Sequence, residues 1–309
     1  MTSNRLKVLY IGGLPRSGST LVGRVFGQLD FAFFAGEVRN IWRFGLMRES
    51  TCGCGQPQQS CEFWSTVLKT AYGTLSEEDI LVRSSINKDL RIWHVLRSWL
   101  PGGEAWLRKK WAFHFENQRK LYHAIQSVSG RRVLVDSSKA PAYAALLALM
   151  PEIDLTILHV VRDPRGMAYS WFRTGRRHPL WGRFDGGGDL RFPVGVRQWV
   201  LENAMFHLLR RKPGVNYLFV RYEDFMSQAQ QTLEAALHLM GEPEPASPLV
   251  VDNTIHIEPG HILVGSTSKF DTGDVQLRLA DEWQRKMGWL ARAQVALDAW
   301  PLMLRYGYL

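Results

Sequence analysis

The segment Gly13-Leu14-Pro15-Arg16-Ser17-Gly18-Ser19-Thr20 follows directly on the apolar run Val8-Leu9-Tyr10-Ile11. An apolar run, then glycines and hydroxyls, then a helical pattern is how a chain builds a phosphate-cradling loop between strand and helix. The nucleoside-triphosphate version places a lysine after its second glycine, where it reaches the β- and γ-phosphates. Here Ser19 holds that position, and the cation has moved into the loop as Arg16. Gly18 lets the backbone approach a ligand, and the N–H groups from Ser17 to Leu21 are expected to face one concavity. A helix beginning near Thr20 adds its positive end. Ser17, Ser19 and Thr20 add hydroxyl donors, and the Arg16 guanidinium is a planar fork suited to phosphate or sulfate oxygens. The expectation is an anion site that does not hold the tail of ATP. The plainer alternative is a Gly/Ser-rich turn whose hydroxyls only cap the helix.

Such a loop needs a sheet behind it. Short β-rich runs at 8–12, 31–35, 132–135, 155–161 and 217–221 alternate with helical patterns at 20–28, 140–149, 165–172 and 227–240. Alternation of this kind predicts an α/β fold with a central parallel sheet covered on both faces, its strands apolar on both sides. Between about 46 and 130 no strand is legible, and Trp64, Trp93, Trp99, Trp106 and Trp111 fall there. This stretch reads as a helical insertion over the carboxyl edge of the sheet, within one domain spanning 1–309. Its tryptophans are either core or a platform for an acceptor. The stretch 175–192, with Arg176, Arg177, His178, Arg183 and Gly186-Gly187-Gly188, reads as a loop rather than a linker.

Ligands of such sheets bind outside the carboxyl ends of the strands. After the successive strands come Arg16, then Gly36-Glu37-Val38-Arg39, then Asp136-Ser137-Ser138-Lys139. Arg162-Asp163-Pro164-Arg165 and Arg221-Tyr222-Glu223-Asp224 complete the set. Cations at four strand ends make an anion-seeking rim. The formal net charge of +9 suits a polyphosphorylated or acidic partner. The basic residues are scattered and no nucleic-acid motif accompanies them, so no nucleic acid is expected. With no leader pattern and no run of 18 or more apolar residues, the chain is expected to be soluble and cytoplasmic. Cys52, Cys54 and Cys61 stand together without a fourth ligand in reach of the spacing. That falls short of a zinc pattern and reads as reduced, loop-packing thiols.

These residues resemble the sulfotransferases that use 3′-phosphoadenosine-5′-phosphosulfate, in particular the carbohydrate and tyrosylprotein branches and their bacterial relatives. The likeness covers most of the chain. It is sharpest in Pro15-Arg16-Ser17-Gly18-Ser19-Thr20-Leu21 and in Val161-Arg162-Asp163-Pro164-Arg165 with Ser170. It implies a P-loop NTPase-like three-layer fold. It also implies that Arg16 and the backbone from Ser17 through Gly18, Ser19 and Thr20 to Leu21 hold the 5′-phosphosulfate. Arg162 and Ser170 then hold the 3′-phosphate, with Arg162 ending a strand and Ser170 two turns into the next helix. Tyr222 resembles a tyrosine packing on adenine. Gly265-Ser266-Thr267-Ser268-Lys269-Phe270 resembles a late loop closing on the cofactor, through Ser266 and Lys269. Glu37, in its Gly-Glu-x-Arg setting, resembles the general base, and Lys139 a lysine that neutralises the transferring group. His114, His123 and His178 are alternative bases. The implied reaction moves a sulfuryl group to the hydroxyl of a glycan, glycolipid or other small alcohol, leaves 3′-phosphoadenosine-5′-phosphate, and needs no metal. The rival readings are a P-loop nucleotide kinase, for which Asp136 would be the magnesium acid, and a non-catalytic binder of 3′-phosphorylated nucleotides.

Overall fold

A computed structural model describes residues 5–48, 50–173 and 192–309. Among them, five parallel strands form one sheet in the order β2-β3-β1-β4-β5: β1 Leu6–Gly12, β2 Ala32–Gly36, β3 Val133–Lys139, β4 Ile153–Val161 and β5 Val215–Arg221. The chain leaves β1 toward β2 on one side and later builds β4 and β5 on the other. The switch point therefore lies at the carboxyl end of β1, where ligands of such sheets collect.

Alternation along β1 divides its side chains between two cores. Val8 and Tyr10 point to one face, where Leu134, Leu155 and Ile157 join them. Leu9 and Ile11 point to the other, with Val133, Val135, Leu158 and Val160. On that second face lie α1 (Ser19–Phe26), α10 (Tyr222–Ser227) and α11 (Ala229–Met240). The first face carries α6 (Ala112–Ser129), α7 (Pro141–Leu147) and α9 (Phe192–Leu209), so the fold has three layers. A third apolar cluster joins α8 (Pro164–Arg173) and α9 to α12 (Trp283–Lys286) and α13 (Trp289–Arg305) through Trp199, Trp283, Val295 and Met303.

Between β2 and β3 the chain is helical, with α2 (Glu62–Tyr72), α3 (Glu77–Asp89), α4 (Trp93–Arg97) and α5 (Gly103–Lys110) preceding α6. It reaches the carboxyl edge through Tyr122, and α2 and α6 also complete the layer on the first face. Its tryptophans divide: Trp64 and Trp111 are core, whereas Trp93, Trp99 and Trp106 are exposed.

Beyond α9, α12 and α13, for which the sequence gives no pattern, two features depart from expectation. The chain after 240 adds an antiparallel hairpin, β6 (Thr254–Ile257) with β7 (Gly273–Gln276). And β3 does not end at Val135 but runs on through Asp136, Ser137 and Ser138 to Lys139, all buried. Polar residues fit inside that strand because its pairing with β1 slips. Tyr10 faces Asp136 but Gly12 faces Lys139, so three residues of β3 oppose two steps of β1. The stretch containing Arg176, Arg177, His178 and Arg183 lies outside the described residues.

Candidate active site

The loop after β1 turns on two residues in the left-handed region, Arg16 at φ 76° and Gly18 at φ 88°. For a non-glycine residue this conformation costs about 1–3 kcal/mol and persists only where surrounding contacts hold it. Arg16 is held on both sides. Its Nε donates to Ser170 Oγ at 2.9 Å, and its carbonyl accepts from Arg162 Nη1 at 3.1 Å. Residues 146 and 154 positions apart thus meet at one point, and the two motif blocks form a single site. Arg162 follows directly on β4, and Ser170 lies two turns along α8, the spacing the sequence implied.

Gly18 also leads into α1, whose N-terminus has no side-chain cap and no acidic residue in its first turn. Its first N–H groups therefore lack an intrahelical acceptor, the arrangement in which a helix start can hold an anion. One expected donor is absent from that set: the Ser17 N–H turns back to the Leu14 carbonyl at 3.1 Å. The Ser17 hydroxyl, by contrast, is buried with no hydrogen-bond partner among the described residues. An orphaned hydroxyl beside an uncapped helix end is what a loop shaped around an oxyanion leaves behind. Ser19 and Thr20 are buried at the helix start, and Leu21 follows half-buried.

Tyr222 forms the floor beneath. A Cβ on Gly18 would lie 2.6 Å from its ring, and the Arg162 guanidinium sits 4.6 Å over its centroid. The ring expected to meet adenine is thus 6% exposed and spent on the loop and Arg162. Arg162 is itself largely committed, since its Nη2 donates to the Ala280 carbonyl at 2.8 Å.

On the facing strands, Glu37 follows β2 and Lys139 ends β3. Sequence treats them as separate motifs; the fold joins them. Lys139 Nζ lies 2.6 Å from Glu37 Oε1 and 2.8 Å from the Ser137 carbonyl, while Asn40 Nδ2 donates to Glu37 Oε2 at 2.5 Å. Lys139 is the second strained residue of the rim, at φ 68°. Strain at both proposed charge carriers, Arg16 and Lys139, marks where the backbone is bent to aim side chains.

Behind that pair lies a residue that sequence reasoning set aside. Asp136 is fully buried and accepts from Val38 N–H (3.4 Å), Ser138 N–H (2.8 Å), Ser138 Oγ (2.5 Å) and Tyr122 OH. Burial pushes its carboxyl up to about 6 against the pull of those donors. It fixes the chain after Glu37 to β3 and so positions the Glu37–Lys139 pair. Its Oδ1 takes three of these donors and its Oδ2 the Tyr122 hydroxyl, so the carboxylate serves the packing of the fold. Asp136→Leu, which orphans these donors, should lower unfolding stability by about 1–3 kcal/mol per buried group left unpaired. Asp136→Asn should cost far less, because Tyr122 OH can accept from the new amide. Urea denaturation of the two variants measures the difference.

The late loop closes on the site from the other direction. Ser266 N–H donates to Thr20 Oγ1 at 3.4 Å, and Arg24 of α1, 2% exposed, donates to the carbonyls of Ser268 and Asp271. Arg24 was not foreseen; a lone arginine in a helix carries no signal for such a clasp. Lys269 departs from expectation. It is buried, which lowers its pKa, and its ammonium is engaged by the Thr51 carbonyl of the insertion. Of the alternative bases, His114 is buried against Trp111 and Tyr143, and burial with the nearby Arg39 charge drives it down to about 4. His123 points outward on α6, and His178 lies outside the described residues.

These features place a glycine- and hydroxyl-rich loop, two arginines and a carboxylate–lysine pair together at one sheet rim. The chain belongs to the sulfotransferase family, whose model matches residues 9–246; sulfuryl transfer is its class of reaction. No curated protein matches the chain. Solved structures similar to it include the sulfotransferase domain from the curacin biosynthetic pathway, at 17% identity and TM-score 0.48 over 94% of this chain and 96% of that one. Another is the sulfotransferase domain of the Synechococcus PCC 7002 olefin synthase, at 17% identity and TM-score 0.49 over 95% and 94%. Retinol dehydratase in complex with androsterone and inactive cofactor PAP matches at 13% identity and TM-score 0.41 over 96% and 80%. Among the described residues, no helix is long and apolar enough to cross a membrane.

Proposed function

We propose that the protein transfers a sulfuryl group from 3′-phosphoadenosine-5′-phosphosulfate to an acceptor hydroxyl, with Glu37 as general base. The observation that carries this reading is the junction of Arg16 with Arg162 and Ser170, which brings two phosphate-type binding blocks to one rim. The donor supplies the sulfuryl group and leaves as 3′-phosphoadenosine-5′-phosphate. Arg16, the Ser17 hydroxyl and the N–H groups of Gly18, Ser19, Thr20 and Leu21 are assigned to the 5′ end. Arg162 and Ser170 are assigned to the 3′-phosphate, with Tyr222 supporting Arg162 from below. Ser266 closes the loop over Thr20, and Lys269 anchors that closure to the insertion.

Glu37 takes the proton of the acceptor hydroxyl, and Lys139, already beside it, stabilises charge on the transferring oxygens. Arg16 does the same from the loop side. Removal of a single donor of this kind costs about 10²–10³ in rate. For the acceptor, the fold offers a cleft of about 570 Å³ among α3 to α6, lined by Trp93, Trp111, Phe113 and His114 with Asp89, Arg91 and Lys110 at its polar edge. Aromatic walls with a charged rim suit a sugar ring or an apolar alcohol.

The test is transfer of label from radiolabelled donor into acceptor extracts, paired with calorimetry against 3′-phosphoadenosine-5′-phosphate and against ATP with magnesium. Label transfer with binding of the desulfated nucleotide supports the reading. Binding without transfer to any acceptor makes the protein a non-catalytic binder, and preference for ATP–magnesium makes it a kinase. The burial of Asp136 and the presence of Ser19 at the lysine position both stand against the last.

A further inference from the structure

The three cysteines take no part in the site just described, and the fold supplies what their spacing lacked. Cys52 and Cys54 lie in a tight turn, closed by Cys52 N–H to Gln56 O at 2.7 Å and Gly55 N–H to Cys52 O at 2.9 Å. Cys61 caps the start of α2. His261 arrives from 200 residues further along, with Nδ1 3.3 Å from Cys61 Sγ. Cys54 Sγ is 3.7 Å from Cys61 Sγ, and the ligand atoms of all four residues lie within 4.8 Å of one another. A zinc tetrahedron with Zn–S of about 2.3 Å and Zn–N of about 2.0 Å has edges of roughly 3.5–3.8 Å.

We propose that Cys52, Cys54, Cys61 and His261 form a structural zinc site that clamps the root of the helical insertion to the segment leading into the Ser266 loop. Three soft sulfur donors with one imidazole are the ligand set of structural zinc, and four protein ligands leave no open position for chemistry. The donors are held in place by neighbours. The His261 ring stacks on Phe63 at 5.0 Å and 9°, its carbonyl accepts from Trp64 Nε1 at 2.9 Å, and Gly53 N–H donates to Ile262 O at 3.0 Å. Such outer contacts orient ligands in metal centres.

Loading Zn²⁺ displaces the three thiol protons to solvent and, with neutral His261, leaves a centre of net charge minus one. The buried ammonium of Lys269, bonded to the carbonyl of Thr51 immediately before Cys52, stands ready to balance it. A disulfide would use two of the four groups and leave the convergence of the others without a cause. The consequence reaches the reaction site, since Leu263 N–H donates to Ala35 O, two residues before Glu37.

The full chain, purified without chelator, should contain about one zinc per molecule by elemental mass spectrometry. Replacement by Co²⁺ should give thiolate-to-cobalt charge-transfer bands and the visible bands of tetrahedral coordination. Cys54→Ser and His261→Ala should each weaken metal binding against a chromophoric chelator by more than the roughly 10–100-fold that loss of an outer partner costs. His261→Cys should keep the metal, because four thiolates also satisfy zinc. That variant and the wild-type cobalt spectrum hold the test even if Cys54→Ser fails to fold. Folded protein that binds neither Zn²⁺ nor Co²⁺ and shows three freely reactive thiols overturns the proposal. So does a Cys54–Cys61 disulfide in protein isolated without reductant, or stoichiometric iron in place of zinc.

Discussion

Glu37→Gln should lower turnover by about 10²–10⁴-fold, the usual contribution of a positioned general base. Glutamine keeps the size of the side chain and one oxygen toward Lys139 Nζ, now 2.6 Å from Oε1, and its new Nε2 can donate to Asn40 once that amide turns its Oδ1 round in place of the Nδ2 that now donates to Oε2. What it loses is the ability to accept the acceptor's proton. Affinity for 3′-phosphoadenosine-5′-phosphate should stay within a few-fold of the parent, because the groups assigned to its phosphates come from the loop after β1, the residue after β4 and the body of α8. Single-turnover kinetics beside calorimetry separates the two effects. Near-normal turnover in the variant would remove Glu37 from the mechanism. The rate loss with a matching loss of affinity would mean that the Glu37–Lys139 pair shapes the binding site instead.

Arg162→Ala is expected to act on binding. A charge-assisted hydrogen bond to a phosphate is worth about 1.5–3 kcal/mol, which corresponds to a roughly 10–150-fold weaker affinity for the desulfated nucleotide. The substitution also strips donors from the carbonyls of Arg16 and Ala280, 3.1 and 2.8 Å away, and uncovers Tyr222. The strained Arg16 turn then loses one of its holds, so the effect should exceed that of a peripheral cation. Arg162→Lys should fall between, because an ammonium keeps the charge but cannot span two carbonyls and a phosphate with one planar fork. Calorimetric titration gives the affinities, and thermal unfolding without nucleotide shows what part of the loss is structural. An alanine variant that binds within about threefold of the parent, with unfolding unchanged, refutes the assignment of Arg162 to the 3′-phosphate.

What could be read from the chain is what is local. The loop after β1 is legible because a strand, two glycines, three hydroxyls and a helix start lie within fifteen residues, and each type is required by backbone geometry or anion chemistry on its own. The Arg162–Ser170 spacing is legible for the same reason: a strand end and two helical turns set it. Asp136 was misplaced because strand propensity runs out at Val135. Only the slipped pairing with β1 lets a polar segment continue as buried strand. α9 is missing from the sequence reading because it is buried on several sides and shows little amphipathic rhythm.

The amino-acid order by itself determined the glycine- and hydroxyl-rich loop after β1, the alternation that builds a parallel sheet, and the identities of the cations at its rim. The tertiary structure alone decided which of them meet. Strand pairing placed β3 between β2 and β1, so Glu37 and Lys139 became an ion pair across 102 residues. It also brought His261 to three cysteines 200 residues and more before it. Contacts at such separations depend on the sheet order and the packing of layers, which no local pattern of side chains encodes.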